Sequence, residues 1–174
     1  MHYLHKILVH VPDCIECEES WDEKKEAIRD AAESGTEDFY DRVFDWRETD
    51  CAGRWEGIYP EQVYLAADNI NWFIDELIEV RNSQEADMQS CMEVLRNSVG
   101  LDLETIRNKI DEHECGFMMT YYLSRFADIL SGEYISASGF YNLRDYTAKV
   151  TPEIIEEIKA QPNNWALVMF DYHN

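Results

Sequence analysis

Cys14-Ile15-Glu16-Cys17 is the most specific local pattern in this chain. Two thiolates at that spacing can grip one Zn²⁺, or close into a reversible disulfide beside a helix start that stabilises thiolate charge. Each use asks for surroundings that the sequence supplies only in part. A structural zinc site wants a second ligand pair, and Cys51, Cys91, Cys115, His10, His113 and His173 form none at the usual spacing. A redox pair wants positive neighbours, whereas Asp13, Glu16, Glu18 and Glu19 oppose the thiolate. The plainer expectation is a pair of partly buried thiols and no cofactor, with zinc held by Cys14 and Cys17 as the alternative.

Two further groups stand out. Asp171 and His173 follow an apolar run, alternate onto one side of an extended chain, and lie where functional residues often leave a sheet. Their competing reading is a frayed, solvent-exposed chain end. Arg54, Trp55 and Tyr59 occupy a Gly-containing stretch, 54–60, in a chain where arginine is scarce. Arg54 beside Trp55 suits an anionic ligand or a protein partner, with Tyr59 adding contact area. Alternatively, Trp55 and Tyr59 plug a gap between helices while Arg54 pairs with a surface carboxylate. No Gly-x-Gly-x-x-Gly, Gly-x-x-x-x-Gly-Lys-Ser/Thr, His-Glu-x-x-His or Gly-x-Ser-x-Gly occurs in the chain, which argues against the commonest dinucleotide, P-loop, zinc-protease and α/β-hydrolase designs.

The elements that would position these residues can be read from local signals. Ile7–Val11 is β-branched-rich and closed by Pro12, as in a buried strand. Ser20 followed by Glu23 predicts a capping box, and Trp21, Ile28 and Ala31 or Ala32 the inner stripe of the helix it opens, which stops near Gly35. Thr36 is expected to cap a short helix with Phe39, Val43 and Trp46 on one face. Pro60 then predicts a first helical turn, because Val63, Ala67, Ile70, Ile74 and Leu77 recur at helical spacing. The stripe pauses over 81–85 and resumes from Met88 to Val99, as one kinked helix or two. Further helices are expected after Asp102 and along Met118, Tyr122, Phe126, Ile129 and Leu130, then one or two strands within 134–150. Thr151-Pro152-Glu153 opens a helix lined by Ile154, Ile155 and Ile158. Trp165–Phe170 is continuously apolar, as in a strand covered on both faces.

These elements predict an α+β fold: a small sheet of N- and C-terminal strands packed on a helical layer. One compact domain over 1–174 is expected, with its helix-rich middle at about 60–131. The chain bears 36 acidic against 15 basic residues, a net charge of −21, but 45% of it is apolar, so the charge overlays a core rather than a disordered tail. Such a surface repels phosphate backbones, and direct nucleic-acid binding is not expected. No stretch approaches the roughly 20 apolar residues of a membrane span, and the N-terminus does not read as a secretory signal. Five cysteines, an odd number, fit a reducing compartment, so a cytoplasmic location is expected. The leading functional expectation is a non-catalytic interaction or regulatory protein engaging a basic protein surface, with nucleic-acid mimicry as its sharper version. The alternative is a small metal-assisted hydrolase or thiol enzyme.

Overall fold

The computed structural model describes residues 1–13, 20–40, 43–99, 102, 104–105, 107–108, 117–133 and 139–173. Cys14, Cys17, His113 and Cys115 lie outside them, as do parts of the predicted helix after Asp102 and of the predicted strand region 134–150.

The fold is α+β. Its spine is an antiparallel pair, β1 (His2–His10) and β5 (Trp165–His173), in register from His2 opposite His173 to His10 opposite Trp165. Both strands needed a partner, and they find each other across the whole chain. β2 (Trp46–Glu48) and β3 (Val63–Leu65) pair antiparallel with β5, and β4 (Phe140–Asn142) pairs parallel with β1. Every described side chain of β5 up to Tyr172 is buried, as expected for a strand covered on both faces.

One face of the sheet carries Leu8, Trp165, Leu167 and Met169. It packs against Phe73, Ile74, Leu77 and Val80 of α2 (Ile70–Val94) and the isoleucines of α4 (Pro152–Ala160). The other face carries Ile7, Val9, Val168, Phe170 and Tyr172 under Ile28 and Ala32 of α1 (Trp21–Ser34). Full burial of each large side chain is worth about 1.5–3 kcal/mol, so these two layers supply the dominant favourable term.

Two of the local start signals act as expected. Ser20 and Glu23 form the reciprocal capping box of α1, and the Thr151 side chain accepts from the Ile154 amide to open α4. Several expectations are corrected. β1 begins at His2, because Tyr3, His5 and Lys6 pair with β5 although their polarity hid the strand. Val63–Leu65 is a strand, not the start of a helix: its backbone closes an edge of β5 that would otherwise stay open. α2 begins only at Ile70, where the Asn69 side chain accepts from the Trp72 amide. It then runs unbroken through 81–85, a stretch without Gly or Pro, braced by the Arg81–Glu85 pair at 3.2 Å. Trp21 and Trp46 are exposed rather than facing the core. Trp21 sits on the first turn of α1 with the Lys25 ammonium 5.3 Å above its ring, and Trp46 lies in β2, after a 3₁₀ turn at Glu37–Phe39.

A further correction concerns α3 (Phe117–Ser131). Its buried residue is Met119, which meets Leu95 of the π-helical turn after α2, with Tyr122 and Phe126 packed beside them. Met118 and Leu130, expected inside, are exposed.

Candidate functional site

The register of β1 and β5 decides what gathers at one end of the sheet. It sets His2 opposite His173 and Leu4 opposite Asp171, while β2 brings Trp46 opposite His173. His2, Asp171 and His173 therefore share one face. Asp171 is buried, which corrects the expectation of a frayed tail: its carboxylate accepts from His2 Nδ1 at 2.8 Å and from the Arg54 amide at 3.1 Å. Gly53 makes that second contact possible. Its φ is +56°, and an added Cβ would lie 2.5 Å from the Asp171 side chain. His173 makes its own pair, Nδ1 to Asp45 Oδ1 at 2.8 Å, and this hydrogen bond holds the Asp45 carboxyl below its usual range. The two imidazoles meet edge to face with centres 5.0 Å apart, and Trp46 touches the His2 ring at 5.8 Å. Two histidines, each backed by its own carboxylate, stand side by side.

The Arg54–Tyr59 stretch is split by the fold. A 3₁₀ turn at Gly53–Trp55 leaves the Arg54 side chain exposed, while Trp55 packs partly buried on the core. Tyr59 is buried, and its hydroxyl donates to Glu76 at 3.0 Å. Glu76 also accepts from the nearly buried Lys6 ammonium at 2.5 Å. Burial first, then the Glu76 charge, push the Tyr59 phenol far above its ordinary range, so it stays protonated. This trio ties β1 to α2 and leaves Tyr59 no free face for a partner. The described thiols are not activated either. Hydrogen bonding to Glu56 raises Cys51, and burial raises Cys91. Among the described residues no set of three or more His, Cys, Asp or Glu side chains converges on one point. No helix among them is long and apolar enough to cross a membrane.

Family models, curated proteins and solved structures offer no match to this chain.

The opposite face of the sheet holds a group that sequence reasoning missed. His5 is fully buried, its ring centre 3.7 Å from that of Tyr172, with the Arg47 guanidinium stacked on Phe44, Phe170 and Tyr172. Burial chiefly, and the Arg47 charge second, hold His5 well below its ordinary value of 6.5. The folded state thus keeps His5 neutral while the unfolded chain takes up a proton below pH 6.5. Its linkage leaves stability untouched above that pH and erodes it as pH falls towards the lowered folded-state value. Relative to His5→Gln, the wild type should lose about 1 kcal/mol of unfolding free energy between about pH 6.5 and 5.5. Urea titrations at both pH values read this directly, and parallel pH dependence in the two proteins would refute it.

Proposed function

We propose that this chain is a non-catalytic interaction protein whose α3 helix docks a partner carrying apolar anchors ringed by basic side chains. One observation carries the reading: Phe117, Met118 and Tyr121 on the first turns of α3 are 79%, 50% and 44% exposed. Phe117 and Tyr121 are stacked, with ring centres 6.0 Å apart, and Arg125 steadies them by donating to the Tyr121 hydroxyl and pairing with Asp87 of α2 at 2.9 Å. The aromatic pair is therefore presented on a braced helix, which lowers the ordering cost of binding. Further along, Leu130 joins Met88, Ile129 and Val150 in lining an open groove of about 340 Å³. Clustered exposed apolar side chains of this kind are what a docking surface needs.

Charge selects the partner. The α2–α3 pair carries exposed Glu85 and Glu93 with half-buried Asp128, and the chain as a whole bears −21. Two copies would repel at that charge, so a basic partner fits α3 better than a second copy does. The mimicry version draws no support from α1. Asp22, Glu26 and Asp30 do align one turn apart there, but Arg29 lies against Glu26 and Asp30, and Lys25 pairs with Glu61 at 2.6 Å.

The test is capture from source extract at low ionic strength with the wild type and with Phe117→Asp/Tyr121→Asp, whose altered side chains are both exposed. The partner should bind the double variant at least about tenfold more weakly, as expected when anchor residues are lost. It should also elute as salt rises. Retention of the same proteins by both forms, or of none by either, would sink the reading.

A further inference from the structure

The paired histidines at the end of the sheet have a use that α3 docking does not touch. We propose that His2 and His173 form an exchangeable binding site for a divalent transition-metal ion that prefers imidazole nitrogen, such as Cu²⁺, Ni²⁺ or Zn²⁺. Each ring gives its Nδ1 to a carboxylate oxygen at 2.8 Å, His2 to Asp171 and His173 to Asp45. A carboxylate can only accept, so each Nδ1 carries a proton, and in the neutral ring the lone pair is then on Nε2. Two such nitrogens are what a metal ion of this class binds, and the carboxylate behind each fixes its orientation.

The spacing agrees. With metal–nitrogen bonds of about 2.0–2.1 Å and a tetrahedral angle between them, two ligating imidazoles have their centres roughly 5 Å apart. The observed separation is 5.0 Å, with the planes inclined at 66°. Both rings are reachable, their side chains being 22% and 42% exposed, whereas the Asp171 side chain is almost fully buried. That burial matters: a carboxylate sunk into the sheet and held by the Arg54 amide cannot swing away from His2. The antiparallel register holds the two residues opposite each other across the strand pair. Two protein donors leave the other coordination positions to water or a small ligand, which makes the site exchangeable rather than a closed structural centre.

The experiment uses protein prepared without a histidine tag, at neutral pH, with excess Mg²⁺ to occupy weak carboxylate sites. Cu²⁺ or Ni²⁺ is titrated by calorimetry and by tryptophan fluorescence. We expect one ion per chain, with Cu²⁺ bound more tightly than Ni²⁺ or Zn²⁺. His2→Ala and His173→Ala should each weaken binding by at least about tenfold, and Asp171→Asn or Asp45→Asn by roughly 10–100-fold. Cu²⁺ should quench fluorescence less in Trp46→Phe, because Trp46 touches His2. Cys14→Ser/Cys17→Ser should bind as the wild type does. Paramagnetic broadening of the two histidines' ring protons in the unaltered protein reads the same site without any variant. Binding that survives both histidine changes, or that disappears with the cysteines, would overturn the proposal. So would ring protons left sharp at saturating metal.

Discussion

Replacing Gly139 by alanine should destabilise the protein by at least about 3 kcal/mol. The residue precedes β4 with φ at +57°, a region that costs an L side chain about 1–2 kcal/mol on its own. The space is closed as well. A Cβ would stand 2.2 Å from the Leu4 carbonyl oxygen and 3.3 Å from its carbon, and both atoms belong to the backbone of β1, so no rotamer change relieves the contact. Nor can Gly139 simply back away, because its own carbonyl accepts the Lys6 amide at 2.5 Å and starts the parallel pairing of Lys6 with Phe140. Separating the strands would pull the fully buried Phe140 from the core. For a chain of this size the loss corresponds to a fall in Tm of roughly 6–12 °C. Gly57→Ala is the control: nothing lies within 4 Å of its added Cβ, and its stability should stay within about 0.5 kcal/mol of wild type. Thermal unfolding of the two variants side by side decides the matter. A Gly139→Ala protein as stable as Gly57→Ala would mean that β4 does not sit against β1 as described.

Gly139 also illustrates which features were legible in the sequence. Signals whose cause is local could be read: the Ser20–Glu23 box, Thr151-Pro152, and the apolar run at Trp165–Phe170 all act through neighbours a few residues away. Val63–Leu65 misled because its spacing to Ile70 and Leu77 matches a helix, while the reason for a strand, the open edge of β5, lies some hundred positions along the chain. α3 misled differently. Phe117, Met118, Met119, Tyr121, Tyr122, Leu123 and Phe126 are apolar nearly all round the helix, so periodicity could not say that Met119 faces inward and Met118 outward. At the sheet end, Asp171 and His173 stand out in the sequence by their place after an apolar strand. Their partners His2 and Asp45 sit 169 and 128 positions away, and only strand register reveals them. Acids are too evenly spread along this chain for composition alone to pair them with particular histidines.

Arg47→Ala should cost about 3 kcal/mol, and most of that loss should not be electrostatic. The Arg47 side chain is only 8% exposed, wedged between Phe44, Phe170 and Tyr172. Its guanidinium donates to the Thr36 hydroxyl at 2.8 Å and to the Glu33 carbonyl at 3.3 Å, satisfying groups at the C-terminal end of α1, where carbonyls lack helical partners. It also approaches the Glu33 carboxylate at 3.2 Å, but that side chain is 36% exposed, so the ion pair is screened and worth at most about 1 kcal/mol. Alanine removes the packing, leaves an apolar void among three aromatic rings, and strips the buried Thr36 of a donor, though Thr36 still donates to the Ala32 carbonyl.

Three variants separate these contributions. Glu33→Ala should lose no more than about 1 kcal/mol, because the carboxylate gains little from a partner it meets at the surface. Arg47→Met, which keeps an apolar stem of similar length, should fall between Glu33→Ala and Arg47→Ala. Arg47→Met should also change the pH response. Without the guanidinium, one of the two influences that hold His5 below its ordinary value is gone while burial remains, so His5 should regain part of its basicity. Folded and unfolded chains then differ less in proton uptake below pH 6.5, and the acid-side decline in stability should be shallower than in the wild type without vanishing. Urea titration of the four proteins across that range measures both quantities at once. If Glu33→Ala proved as damaging as Arg47→Ala, the ion pair rather than the aromatic packing would be holding α1 to the sheet.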